Sequence, residues 1–226
     1  MGVRLPIGRE TLPAMTGIKA INGQTPTTAT ANLGDAIVVV SGLPRSGTSM
    51  LMHVLRAGGI ATMTDQARTP DIDNPKGYYE FERVKRLPQG DVGWLDDARG
   101  KSVKVISALL VHLPPTHTYR VIFLQRRLAE VLDSQRKMLE HRGQAPATAQ
   151  AADDDNMAVL LQQHVADVRS WLVSQPNILL FEADYNAIVA DPAPWMARIA
   201  AFLGGNLDLA AMQAAVDSAL YRNRAT

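Results

Sequence analysis

The stretch that most restricts the fold is VVVSGLPRSGTSML, Val38 to Leu51. A short unbroken apolar run ending in glycine predicts a strand covered on both faces. A glycine turn and the start of a helix follow, closed by Gly58 and Gly59. A strand that passes through such a turn into a helix N-terminus exposes backbone N–H groups at the positive end of the helix dipole, and so binds phosphate or sulfate. The usual phosphate-loop pattern, G-x-x-x-x-G-K-[ST], puts a lysine after the second glycine to reach the terminal phosphates. Here Gly42 and Gly47 keep their spacing, but Thr48 stands where that lysine would be. Backbone donors need no lysine. Ser46, Thr48 and Ser49 add hydroxyls, and Arg45 carries a planar fork that matches an oxyanion bidentately. The plain alternative is a tight turn with Ser46 capping the helix.

Further strands are predicted at 102–107, 119–124 and 177–181, with IATMTD as a short extra strand. Helices are predicted at 127–141, about 157–174, 192–203 and 207–220. Strands alternating with helices imply an α/β three-layer sandwich around a central, mainly parallel sheet. Residues 1–34 mix Gly, Pro and Thr without a sustained period and read as an extension; 35–226 read as one domain. QARTPDIDNPKGYYEFE reads as a loop of functional length, and RGQAPATAQAADDDN as a connection or lid between two helices.

GLPRSGTSML resembles the 5′-phosphosulfate-binding loop of sulfotransferases that use 3′-phosphoadenosine 5′-phosphosulfate, a loop with Arg or Lys before Ser-Gly-Thr. The resemblance implies a P-loop NTPase-like sulfotransferase fold, with Arg45, Ser46, Gly47, Thr48 and Ser49 binding the donor. It also explains the missing lysine: this donor has no β,γ-phosphates to hold, and the family's reaction requires no magnesium. The family carries a second signature, an arginine after a strand and a serine eight residues on, both holding the donor's 3′-phosphate. YRVIFLQRRLAEVLDSQRKML supplies Arg126 and Ser134 at that spacing. An arginine at the C-terminal end of a strand faces the ligand crevice of an open α/β sheet. Arg127, Arg136 and Lys137 read as a solvated basic face, with Arg127 pairing Glu130 at i, i+3. NILLFEADYNAIVADPAPWMARIAAFLGG resembles the family's late segment and reports fold, with Ile199, Phe202 and Leu203 as core at helical spacing. The resemblance spans residues 36 to 205.

The implied reaction is in-line attack of an acceptor hydroxyl or amine on sulfur, with adenosine 3′,5′-bisphosphate leaving. It needs a base for the nucleophile's proton and cations for the charge on the sulfuryl and leaving oxygens. Arg45 is the first candidate cation and Lys104, in VKVIS, the second; Lys104 resembles the strand lysine that faces the sulfate in cytosolic relatives. A lysine in an apolar strand is costly if buried without a partner, which favours function or a sheet edge. Cytosolic relatives place a histidine just after that lysine, but Val105, Ile106 and Ser107 follow here, and His112 lies further on. Other branches use a carboxylate in the loop after the first helix, which makes Asp65 the leading base, with Glu80 and Glu82 as alternatives. A turn cap, or pairing with Arg68 or Arg83, is the plain alternative for these acids. His53 reads as packing. Tyr78 and Tyr79 line an acceptor pocket or anchor the core, and Asp71 and Asp73 are too few to specify a cation. Arg222 or Arg224 either substitutes for the family's late basic glycine motif or belongs to a frayed tail.

Composition sets the outer limits. With 226 residues, 46% hydrophobic content and a net charge of +1, the chain is long enough for one substantial core and has no charge excess to draw it to nucleic acid. It has no cysteine, hence no disulfide, thiolate metal cage or cysteine nucleophile. No signal-peptide core and no apolar run of about 18 residues is present, so a soluble, cytoplasmic protein is expected. The function expected is sulfuryl transfer to a small molecule or glycan, without a metal. The alternatives are a magnesium-dependent kinase, with Glu182 ending LLFE as a Walker-B-like acid, and a non-catalytic nucleotide-binding module. Acceptor identity and oligomeric state are not legible.

Overall fold

The computed structural model describes residues 34–65, 79–141 and 151–216, with residues 151–155 as backbone only. Four strands, β1 (Ile37–Gly42), β2 (Ser102–Lys104), β3 (Tyr119–Gln125) and β4 (Ile178–Asp184), pair in parallel in the order β2-β1-β3-β4. Val40 lies opposite Lys104 on one side and Ile122 on the other, while Gln125 lies opposite Asp184. All six residues of β1 are buried, as a central strand covered on both faces requires.

Alternate strand residues feed two cores. Val38, Val40, Ile122 and Leu124 join Leu51, Met52 and Leu55 of α1 (Thr48–Ala57), Ile199 and Leu203 of α5 (Pro192–Leu203), and Met212 of α6 (Leu209–Ala215). Ile37, Val39, Val121 and Phe123 face the other way, onto Val168 and Leu172 of α3 (Ala151–Ser174). Each fully buried aliphatic side chain contributes roughly 1.5–3 kcal/mol of transfer free energy. Helices therefore cover both faces of one parallel sheet, the three-layer sandwich expected from the alternation.

Several elements differ from the sequence-based expectation. IATMTD makes an isolated bridge, Thr62 to Ser102, and no strand. β2 ends at Lys104, and the chain turns into a 3₁₀ segment over Ser107–His112. The helix expected from about 157 begins at Ala151, so its backbone takes in the run 153–155. A short helix not expected, α4 (Tyr185–Ala190), follows β4 directly; the Asp184 carboxylate caps it by accepting from the Ala187 N–H at 3.0 Å. The end of the long loop forms a 3₁₀ helix over Glu82–Gln89. The extension 1–33, the loop 66–78 with Arg68, Asp71, Asp73 and Tyr78, residues 142–150, and the tail with Arg222 and Arg224 lie outside the described residues. No helix among the described residues is long and apolar enough to cross a membrane.

Candidate functional site

The loop from β1 to α1 is built on positive backbone angles: φ is 151° at Gly42, 70° at Arg45 and 98° at Gly47. Glycine adopts such angles freely, whereas an arginine there costs roughly 1–2 kcal/mol. Two contacts, one from the residue after β3 and one from α2 (Leu128–His141), hold Arg45 in this conformation. Its Nε donates to Ser134 Oγ at 3.0 Å, and its carbonyl accepts from Arg126 Nη1 at 3.1 Å. Arg126 and Ser134 thus both meet the glycine loop at Arg45. They can do so because β1 and β3 run side by side to the same edge of the sheet, Gly42 opposite Leu124. Ser46 and Ser134 are buried, and the Ser46 hydroxyl has no hydrogen-bond partner among the described residues. A buried hydroxyl in that state costs about 1–3 kcal/mol.

Arg126 is itself fixed from behind. Its Nε donates to Glu130 Oε2 at 2.9 Å, and its guanidinium lies 4.6 Å from the centre of the Tyr185 ring. Glu130 is almost wholly buried and accepts from Asn186 Nδ2 at 3.0 and 3.1 Å. Arg127 Nη1 stands 3.6 Å from Glu130, the expected i, i+3 pair, and half-buried Arg136 and exposed Lys137 pair with Asp133. Sequence reasoning assigned no role to Tyr185 or Asn186. The signal available was strand length: β3 and β4 end in register, so the residues after Gln125 and after Asp184 come side by side at the sheet's C-terminal edge.

On the other side of the loop, Lys104 closes the edge strand β2. Its Nζ donates to Ser49 Oγ at 3.4 Å and lies 3.9 Å from Glu80 Oε1, with the side chain only 10% exposed. Lys104 thus lies on an edge strand, the location that one of the two expectations for it named, and its ammonium meets a hydroxyl of the glycine loop. Asp65 Oδ2 accepts from the Glu82 N–H at 2.7 Å, at the first residue of the 3₁₀ helix, and Asp65 N donates to the Glu80 carbonyl at 3.3 Å. Thr64 Oγ1 donates to the same carbonyl at 3.0 Å. Asp65 thereby holds the backbone of 80–82 while the Glu80 carboxylate approaches Lys104. Tyr79, with φ 50°, hydrogen-bonds His53 Nδ1 through its hydroxyl at 2.9 Å. Glu82 pairs with Lys85, Arg83 with Asp91, and His112 is exposed at the end of its 3₁₀ segment.

Glu182 accepts from Arg169 of α3, which donates through Nε and Nη2 along one edge of its guanidinium, and from Gln125 Nε2 at 3.1 Å. The carboxylate raises the Arg169 pKa above its ordinary value through that hydrogen bond. Glu182 lies on β4, separated from the loop strand β1 by β3. A cleft of about 220 Å³ opens beside the loop, lined by Leu43, Ser46, Phe123, Arg126, Leu161 and Val165 among others. Among the described residues, no group of three His, Cys, Asp or Glu is arranged to hold a metal ion.

No family model matches the chain, and no curated protein matches it. Solved structures do resemble it. Mouse sulfotransferase SULT7A1 complexed with PAP is 15% identical and superposes with a TM-score of 0.51 over 86% of this chain and 68% of that one. Sulfotransferase STF1 from Mycobacterium tuberculosis H37Rv is 18% identical, with a TM-score of 0.51 over 80% of this chain and 71% of that one. Likeness at such identities reports architecture, and the architecture here is the sulfotransferase-type α/β sandwich.

Proposed function

We propose that the chain transfers a sulfuryl group from 3′-phosphoadenosine 5′-phosphosulfate to a hydroxyl or amine of a small molecule or glycan. The observation that carries this reading is the meeting of two anion motifs at Arg45, whose side chain reaches Ser134 and whose carbonyl takes a hydrogen bond from Arg126. A donor with phosphate groups at both its 5′ and 3′ positions suits that pair of sites. Arg45, Ser46, Gly47, Thr48 and Ser49 would hold the 5′-phosphosulfate through backbone and hydroxyl donors, and Arg126 and Ser134 the 3′-phosphate.

In the transfer step the acceptor oxygen or nitrogen forms a bond to sulfur while the bond from sulfur to the 5′-phosphate oxygen breaks. The electron pair goes to adenosine 3′,5′-bisphosphate and the acceptor's proton to a carboxylate. Arg45 and Lys104 offset the charge that develops on the sulfuryl and leaving oxygens. Of Asp65, Glu80 and Glu82, Glu80 is the base the geometry favours, because its carboxylate faces Lys104 while that of Asp65 accepts from the Glu82 amide. Asp65 then serves as the residue that holds Glu80 in position.

Calorimetric titration with adenosine 3′,5′-bisphosphate in chelator, beside ATP with magnesium, tests the donor. The bisphosphate should bind without metal, and Arg126→Ala should weaken it by roughly 10- to 100-fold, the worth of hydrogen bonds to a charged group. ATP binding that depends on magnesium would turn the assignment to a kinase. Bisphosphate binding without transfer to alcohols, phenols, amines or sugars would leave a non-catalytic module.

A further inference from the structure

The segment after β4 reaches into the anion site. Asn186 sits in the first turn of α4 and makes three hydrogen bonds back to the β3–α2 junction. Its Oδ1 accepts from the Arg127 N–H at 3.2 Å, and its Nδ2 donates to the two Glu130 oxygens at 3.0 and 3.1 Å. One neutral side chain thus binds the residue after Arg126 and the carboxylate that grips Arg126 Nε. Tyr185, immediately before it, lies against the Arg126 guanidinium. The Arg126 side chain is 7% exposed and that of Glu130 1%, so neither moves without breaking this arrangement.

We propose that Asn186 is a positioning residue for Arg126. Acting through Glu130 and the Arg127 amide, it keeps the guanidinium at the glycine loop and so sets the preference for a 3′-phosphorylated nucleotide. This rests on the sulfotransferase reading, in which Arg126 holds the donor's 3′-phosphate. A guanidinium pointed at an anion by a fixed carboxylate has lost its alternative orientations before the ligand arrives, and that ordering cost is removed from binding. Asn186 is uncharged, so removing it changes geometry without changing the charge at the site.

The test is a ratio. Affinities of the full chain for adenosine 3′,5′-bisphosphate and for adenosine 5′-monophosphate, which lacks the 3′-phosphate, are measured by calorimetry. Asn186→Leu, similar in size but without polar atoms, should cut the preference for the bisphosphate about tenfold, the scale of a misdirected charge-assisted hydrogen bond. Affinity for the monophosphate, whose loop meets Arg126 only through the Arg45 carbonyl, should fall by less. In an Arg126→Ala background the same substitution should have no further effect on the ratio. Should Asn186→Leu fold poorly, Glu130→Asp keeps the charge, shortens the reach by one methylene and should lower the ratio in the same way. A variant that loses both affinities equally, or keeps the wild-type ratio, overturns the proposal and leaves Asn186 a fold residue. A wild-type protein with no preference for the bisphosphate refutes the donor assignment itself, and the role of Asn186 falls with it.

Discussion

Glu80 and Asp65 share one backbone junction. The carbonyl of Glu80 accepts from Thr64 and Asp65, and the amide of Glu82 donates to the Asp65 carboxylate. Only one of the two acids turns its carboxylate toward Lys104. The roles proposed for them separate in kinetics: Glu80→Gln should lower kcat by about 10²- to 10⁴-fold, the usual worth of a general base, and leave bisphosphate affinity intact. Asp65→Ala should cost about 1 kcal/mol of stability in urea unfolding, as loss of a helix cap does, with a smaller loss of turnover. The reverse ranking in steady-state assays would make Asp65 the base. At this scale the sequence was legible as far as singling out by motif and resemblance Arg45, Arg126 and Ser134, residues that the fold brings together. It was not legible for Asn186 or for the choice between Asp65 and Glu80. Those depend on which way side chains turn after a loop closes, and no local spacing encodes that.

The glycine loop is a backbone device before it is a chemical one, and Gly47 is its tightest point. With φ at 98° and the Tyr185 ring packed directly over it, a methyl at Gly47 meets both a left-handed backbone penalty and a collision with the ring. Gly59, which follows α1 with φ at 100°, has open space around it and serves as the control. Gly47→Ala should cost roughly 2 kcal/mol or more and abolish bisphosphate binding, while Gly59→Ala pays only the backbone term of about 1 kcal/mol and binds normally. Equal behaviour of the two variants in chemical denaturation and calorimetry would mean that the ring contact carries no constraint. The elements most legible in the sequence were those with a long, unmixed signal: β1, β3, α1, α2 and α5. β2 fell short because the chain turns Ile106 out to solvent after buried Val105, and Ser107 opens a 3₁₀ turn. α4 was missed because a helix of six residues carries too little periodicity to separate from the strand before it.

Across the whole molecule the site is assembled from three junctions, β1–α1, β3–α2 and β4–α4, aligned along one edge of a four-stranded sheet. The parallel topology was readable from the alternation of strands and helices. The strand order that brings residues 45, 126 and 185 together was not, because pairing of distant segments leaves no periodic trace. A ligand bridging those junctions binds only when all three are in place, so it draws on the folded state as a unit. Adenosine 3′,5′-bisphosphate at a hundred times its Kd should therefore add about 2.7 kcal/mol to unfolding. For a chain of this size that corresponds to a rise in Tm of ~5–11 °C in calorimetric scans. The rise should persist in chelator, because the donor groups assigned to the site are backbone amides, hydroxyls and guanidinium groups. It should shrink in Arg126→Ala at the same ligand concentration, since the weaker Kd lowers the saturation ratio that sets the shift. A rise that vanishes in chelator would identify a metal as part of the ligand and restore the magnesium-dependent alternative. A rise unchanged in Arg126→Ala would mean that the nucleotide is held without the second motif.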